Sequence, residues 1–237
     1  NHLPQLCRNK SHTSNGGYAE YLTCTPHHLH KLPADVSLEA GALWNPVTNA
    51  VHGVQLSRQK MADFVVVLGA GPIGLFTIAG AKRAGAFPVF AAEIQPKRAE
   101  AARKMGAHLV VNPLEDNVLG ACMEQKETGA DVVYDCAGGA ETLQESIQLV
   151  RCGGQVILLG IHMDFFSFST LLWVMKEVDV QAAFGTTDQI PIAIEMLGDG
   201  TINADVVISN IIPLEDLPSM MTNLFGSNDE IKVLVQT

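Results

Sequence analysis

Gly69-Ala70-Gly71-Pro72-Ile73-Gly74 is the stretch whose residue types and spacing point most directly to chemistry. It follows the apolar run Phe64 to Leu68 and opens into a second apolar stretch, Leu75 to Ala81. Glu93 then closes the next apolar run, Phe87 to Ala92. A glycine pattern alone would mean no more than a tight turn between strand and helix. Strand, glycine turn, helix, strand and carboxylate in that order form a dinucleotide-binding arrangement. The first glycine permits the turn, the second lets the backbone approach a pyrophosphate, and the third lets helix and strand pack closely. The helix that starts at Pro72 and Ile73 offers free N–H groups and its positive dipole end to the phosphates. Glu93 comes 93 − 74 = 19 residues after the last glycine, close to the spacing of about 20 at which a carboxylate meets the adenosine ribose. Such a carboxylate repels a 2′-phosphate and so favours NAD over NADP. Lys97 and Arg98 pull the other way, but Glu93 stands at the ribose itself and decides the expectation.

Other reactive residue types carry weaker signals. His27-His28-Leu29-His30 sits in a connecting loop with no carboxylate or cysteine at ligand spacing, so a metal reading is not adopted. His52 falls on a helix after Pro46 and reads as a packed residue; His162 follows Gly160-Ile161 and reads as a loop histidine within reach of a ligand. Nothing around Cys136 or Cys152 in the sequence would activate a thiol, so both read as packing residues. Phe165, Phe166, Phe168, Leu171, Leu172 and Trp173 form an uncharged cluster that suits either a core or a subunit contact.

These residues need a scaffold, and the composition allows one. A chain of 237 residues, 47% hydrophobic and 17% charged, can bury a core as one large or two small domains. The formal net charge of −10 argues against a nucleic-acid partner, whose phosphates call for clustered Lys and Arg. Five scattered cysteines without a Cys-x-x-Cys pair suit a reducing compartment, and a cytoplasmic location is expected. The uncharged run Phe64 to Ala81 is broken by four glycines and Pro72, so it reads as strand plus helix, not as a membrane span. No methionine precedes Met61, which suggests that the natural chain begins upstream of Asn1.

Strand and helix signals alternate between about residues 51 and 186. Beyond the first βαβ unit, a helix runs from Lys97 to Met105 and Gly106 closes it. Strands are read at His108–Val111, Asp131–Asp135, Gln155–Leu159 and Val178–Phe184, with a helix over 141–150. Six strands with intervening helices predict an α/β fold, a doubly wound parallel sheet of the Rossmann kind. Tyr18 to Thr23 reads as a strand and Ser37 as the cap of a short helix through Leu43. After residue 187 a helix Ile190–Leu197, a strand Val206–Ser209, a helix from Pro213 and a strand Ile231–Val235 follow.

Taken together, the chain resembles the medium-chain dehydrogenase/reductase family, the zinc-type alcohol, polyol and threonine dehydrogenases. The resemblance is carried by Gly17-Tyr18-Ala19-Glu20-Tyr21, Lys31-Leu32-Pro33, the glycine turn, Gly129-Ala130-Asp131-Val132-Val133, Arg151-Cys152-Gly153-Gly154-Gln155-Val156, Pro213-Leu214-Glu215 and Lys232-Val233-Leu234-Val235. It implies a dinucleotide domain over 51–186, inserted into a β-rich GroES-like catalytic domain represented by 1–50 and 187–237. It also implies further roles. Lys232 would add charge to the pyrophosphate and Arg98 would lie beside the adenosine. Leu159-Gly160-Ile161 and Ala183-Phe184 would line the nicotinamide. A homo-oligomer through the strand near 178–184 is implied as well. Cys7 matches the fourth cysteine of the family's structural zinc loop. Asn45, in Leu43-Trp44-Asn45-Pro46, stands where polyol dehydrogenases carry a glutamate and alcohol dehydrogenases a cysteine ligand. Asparagine is a poorer zinc ligand, and the other catalytic zinc ligands would fall outside this chain. The implied activity is zinc-assisted hydride transfer between a secondary alcohol or polyol and NAD. A zinc-independent reductase of the same superfamily and a nucleotide-binding regulator without turnover stay open beside it.

Overall fold

A computed structural model of the chain describes residues 17–23, 26, 29–161, 165, 167–185, 188–226 and 229–237. Cys7, Cys24, His27, His28, His162 and Phe166 lie outside the described residues.

The unbroken apolar runs become strands buried on both faces, as a parallel sheet covered by helices requires. Strands β1 (Val65–Leu68), β2 (Val89–Ala92) and β4 (Ala130–Asp135) are buried at every position. With β3 (Leu109–Val111), β5 (Val150–Leu158) and β6 (Asp179–Ala182) they form one six-stranded parallel sheet in the order β3-β2-β1-β4-β5-β6. The expected doubly wound sheet is therefore present. Its order reverses direction between β1 and β4.

Two apolar layers sandwich this sheet. On one face lie α1 (Leu38–Gly41), α2 (Trp44–Leu56), α3 (Pro72–Arg83) and α4 (Pro96–Met105). Leu43, Val47, Leu75 and Ile78 meet Val65, Val67 and Ile157 there. On the other face α5 (Val118–Gln125) and α6 (Ala140–Leu149) set Val118, Ile147 and Leu149 against Val66, Leu68 and Val156. Local signals fix the helix ends. Ser37 Oγ accepts from the Ala40 N–H at 3.1 Å, Pro72 and Pro96 open their helices, and Gly106 ends α4 at φ 111°.

Helix α7 (Leu171–Lys176) precedes β6 and has no buried residue. Lys176 nonetheless fastens it, its Nζ donating to the carbonyls of Ile147, Gln148 and Val150 at 2.8–2.9 Å at the end of α6. Of the uncharged cluster around its start, Phe165, Phe168, Leu171 and Leu172 are exposed, whereas Trp173 packs against the second apolar layer and stacks on Phe168 at 5.0 Å. Helix α8 (Ile190–Gly198) returns to α2, with Ala193 and Met196 in the same apolar layer as Leu43. Arg83 of α3 pairs with Glu195 at 2.5 Å and with Asp199.

Two expectations change. Tyr18 to Thr23 is not a strand but a bend followed by irregular chain; an extended run becomes a strand only where a neighbouring strand forms a ladder with it. The strand expected at Val206–Ser209 begins later. Asn203 caps a short helix, α9 (Ala204–Val207), by accepting from the Asp205 N–H at 3.1 Å. The strand β7 then runs Ile208–Pro213. After a 3-10 turn and α10 (Leu217–Leu224), β8 (Lys232–Gln236) pairs with β7 in a separate parallel ribbon.

Candidate functional site

Register brings the candidate residues to one rim. Leu68 pairs with Ala92 and Asp135, Asp135 with Leu158, and Leu158 with Ala182. These last strand residues form a row across the sheet, so the residues that follow them leave its carboxyl edge side by side. They are Gly69, Glu93, Cys136, Leu159 and Ala183. Ligands of open α/β sheets bind outside this edge, at the point where strand order reverses. Here that point is the crevice beside the end of β1.

The turn itself is tightly built. Gly69 has φ +85° and donates its N–H to the Ala92 carbonyl at 2.9 Å. A Cβ on Gly74 would collide with the Gly69 carbonyl oxygen, so only glycine lets α3 start this close to the turn. Gly71 is different. Its φ of −66° suits any residue, and a Cβ there would meet nothing within 4 Å. Internal packing does not explain the glycine at 71; an open approach to its backbone does. Pro72, at the first helical position, and Ile73 continue from it, and the first-turn N–H groups of α3 have no intrahelical partners. The residues present therefore fit a pyrophosphate.

Glu93 is buried, 6% exposed, and both carboxylate oxygens are engaged. Oε2 accepts from the Ala70 N–H at 2.6 Å and Oε1 from the Gln95 N–H at 2.9 Å. An ionised carboxylate has room for about four hydrogen bonds, so acceptor capacity remains for ribose hydroxyls. Arg98 Nη2 donates to the Glu230 carbonyl at 3.0 Å, which ties α4 to the segment leading into Lys232 at the start of β8.

Toward the other end of the rim, the N–H groups of Leu159 and Gly160 both donate to the Asp135 carbonyl at 2.8 Å. Ile161 is exposed, as is Phe184, and Ala183 is buried with its N–H on the Leu158 carbonyl at 2.9 Å. Asn45 is exposed in the first turn of α2. Among the described residues no group of three His, Cys, Asp or Glu could hold a metal ion. They do not make a zinc site by themselves.

Sequence reasoning passed over two residues of this rim. Asp135 is fully buried. Its Oδ1 accepts from the Ala137 and Gly138 N–H groups and its Oδ2 from the Thr142 hydroxyl, all at 3.1 Å, which shapes the turn beside Gly69. An aspartate ending an apolar strand, followed by Gly138-Gly139, was the available signal. Asn49 lies on α2 among apolar neighbours, and a Cβ on Gly185 would collide with its Oδ1. No sequence pattern marked it.

A second cleft opens at the opposite, amino edge of the sheet, lined by Arg58, Lys60, Asp131 and Arg151. Its main charges are paired with one another: Asp131 takes Arg151 Nε and Lys126 Nζ at 2.7 Å each, and Arg58 meets Asp179 at 3.2 Å. It reads as a structural knot. Burial pushes the Cys122 thiol up to about 11 and the Cys136 thiol up to about 12, which keeps both protonated and unreactive, as expected for packing residues. Cys152 is exposed.

Comparison with known proteins agrees with this geometry. The profile of the zinc-binding dehydrogenase family matches residues 72–199. The chain is 31% identical to (R,R)-butanediol dehydrogenase of Bacillus subtilis (strain 168), over 93% of this chain and 64% of that protein. It is 33% identical to 2-dehydro-3-deoxy-L-galactonate 5-dehydrogenase of Pseudoalteromonas atlantica, over 99% of this chain and 70% of that protein. A structure from Sinorhizobium meliloti 1021, described as a zinc-binding dehydrogenase bound to NADP, superposes with a TM-score of 0.88 at 31% identity, covering 94% of this chain and 67% of that one. The chain belongs to the zinc-binding dehydrogenase family, within the medium-chain dehydrogenases. It spans about two thirds of the length of these relatives.

Proposed function

We propose that the protein is an oxidoreductase that transfers a hydride between a secondary alcohol or polyol and NAD. The observation that carries this is Gly71: a glycine that neither backbone conformation nor packing requires, at a helix start beside a buried carboxylate, on the rim where the strand order reverses. The relatives named above are dehydrogenases, one of butanediol and one of a sugar acid, which supports the substrate class.

In this reading the first-turn N–H groups of α3 receive the pyrophosphate and Glu93 accepts from the adenosine ribose. Arg98 flanks the adenosine and Lys232 adds positive charge near the phosphates. Leu159, Gly160, Ile161, Ala183 and Phe184, at the ends of β5 and β6, would hold the nicotinamide half. The nicotinamide ring supplies the hydride acceptor. The chain would bind and orient it against the substrate. The described residues do not supply a zinc ligand set by themselves.

Glu93 supports NAD over NADP, because a 2′-phosphate would meet a carboxylate held in place by two backbone N–H groups. The NADP reading rests on Lys97 and Arg98, and on the NADP bound to the Sinorhizobium protein. Calorimetric titration of the full-length protein with NADH and NADPH tests both. Micromolar binding of NADH, at least tenfold tighter than NADPH, is expected; no binding of either sinks the function.

The proposal includes three further parts. Residues 1–50 and 187–237 belong to a GroES-like catalytic domain around the dinucleotide domain at 51–186. Two copies join through the segment near 178–184, because β6 is an edge strand and the adjoining helix exposes Leu171, Val174 and Met175. The location is the cytoplasm; among the described residues no helix is long and apolar enough to cross a membrane. Light scattering that finds only monomer would remove the second part.

A further inference from the structure

Asp135 is a buried carboxylate on this rim that the proposed function leaves unused. It ends β4, between β1 and β5, and its side chain is fully buried. A carboxylate taken out of water is costly unless hydrogen bonds replace the water. Here Oδ1 receives the Ala137 and Gly138 N–H groups and Oδ2 the Thr142 hydroxyl, all at 3.1 Å. Those bonds fold residues 137–138 back over the end of the strand.

The turn held in this way meets both of its neighbours through backbone. A Cβ on Gly69 would lie 3.2 Å from the Ala137 nitrogen, and one on Gly138 would lie 2.8 Å from the Ile161 nitrogen. A Cβ on Gly160 would in turn collide with the Gly138 nitrogen and Cα. With so little side chain between them, the loops after β1, β4 and β5 transmit a shift directly from one to the next. The main chain of Asp135 adds to this, because its carbonyl takes the N–H groups of Leu159 and Gly160 at 2.8 Å. One residue therefore fixes its own loop with its carboxylate and the next loop with its carbonyl. The Gly69 turn is held separately from its other side, by Glu93 on the Ala70 N–H.

We propose that Asp135 is a positioning residue whose carboxylate, acting through the 137–138 turn, sets the spacing between the phosphate turn at Gly69 and the Gly160-Ile161 segment. This rests on the dinucleotide reading above, in which one ligand spans both. Asp135 is buried beneath the turn and acts through its backbone. The spacing matters only to a molecule long enough to reach from one loop to the other. A shorter ligand, held at Gly71 and Glu93 alone, is indifferent to it.

The test uses the full-length protein and two probes, NADH and ADP, whose affinities are measured by calorimetry. ADP carries the adenosine and the diphosphate but stops short of Gly160-Ile161. Asp135→Ala should keep its ADP affinity within about twofold of the wild type, which also shows that it is folded, while its NADH affinity falls about tenfold. Asp135→Asn offers its amide oxygen to the two N–H groups and its amide N–H to Thr142 Oγ1, so it should restore the wild-type ratio of the two affinities. That rescue separates geometry from charge. If Asp135→Ala does not fold, Thr142→Val decides; it removes the donor to Oδ2 and should lower the preference for NADH over ADP about threefold. An unchanged ratio in the deciding variant, an equal loss for both probes, or an Asp135→Asn protein without the wild-type ratio overturns the inference and leaves the dinucleotide reading standing. Failure of the wild type to bind either probe overturns both.

Discussion

Glu93 Oε2 lies 2.6 Å from the amide nitrogen of Ala70, the residue between the first two glycines of the turn. The carboxylate at the end of one strand therefore holds the turn at the end of its neighbour, and its second oxygen holds the start of the next turn at Gln95. One buried group thus shapes the turn, and in the proposed reading that turn receives the phosphates and the same group meets the ribose. Substitution should therefore have two separable effects. Glu93→Ala leaves two backbone N–H groups without their acceptor and should cost about 1–3 kcal/mol of stability, read by urea denaturation. Glu93→Gln keeps the size but can accept from only one of the two N–H groups, so it should cost less stability than Glu93→Ala while lowering the preference for NADH over NADPH by about tenfold, read by titration.

The glycines at 71 and 74 should respond oppositely. Gly71→Ala enters open space at an ordinary φ, so stability should stay within about 0.5 kcal/mol while NADH affinity falls at least tenfold. Gly74→Ala drives a methyl group into the Gly69 carbonyl oxygen. That overpacking should cost about 1–3 kcal/mol, more than the gain of about 1 kcal/mol in helix propensity. A Gly71→Ala protein that unfolds early yet binds normally would contradict the assignment.

Much of this was legible in the chain. The sheet could be read because β1 and β2 are continuous apolar runs, one ending at Gly69 and the other starting after Pro88, because β4 keeps Val132-Val133-Tyr134 between its two aspartates, and because Gly69 to Gly74 and Glu93 follow β1 and β2 at fixed distances. Three things were not legible, each for a physical reason. Tyr18 to Thr23 alternates like a strand, but strand formation depends on a partner that local pattern does not contain. Val206-Val207 is β-branched, yet the Asn203 cap holds it in a helical turn. Asn49 and Gly185 are 136 residues apart in sequence, and only the packing of α2 against the end of β6 makes them neighbours.

His52 gives a pH dependence. Burial lowers its pKa below the ordinary 6.5, against an opposing charge from Asp188. The unfolded chain then binds the proton more readily than the folded one, so the contribution to stability is complete above about pH 6.5 and declines as pH falls through that value toward the lower folded pKa. Replacing His52 with Gln should flatten the slope of the melting temperature just below about pH 6.5. An unchanged slope would show that His52 is as solvated in solution as a free side chain.

Thiol labelling should follow burial. Cys152 is exposed and should react with a maleimide in the native protein, whereas Cys122 and Cys136, held protonated by burial, should label only on unfolding. Peptide-resolved mass spectrometry separates the three. Rapid native labelling of Cys136 would mean that the turn beside Gly74 opens more readily than its packing implies.

The most direct measurement is a crystal structure of the full-length protein with NADH. The pyrophosphate is expected over Gly71 at the start of α3, with the adenosine ribose on Glu93 and the nicotinamide beside Leu159 and Ala183. Cofactor lodged anywhere else, or a pyrophosphate that leaves the Gly71 backbone facing water, would contradict the account.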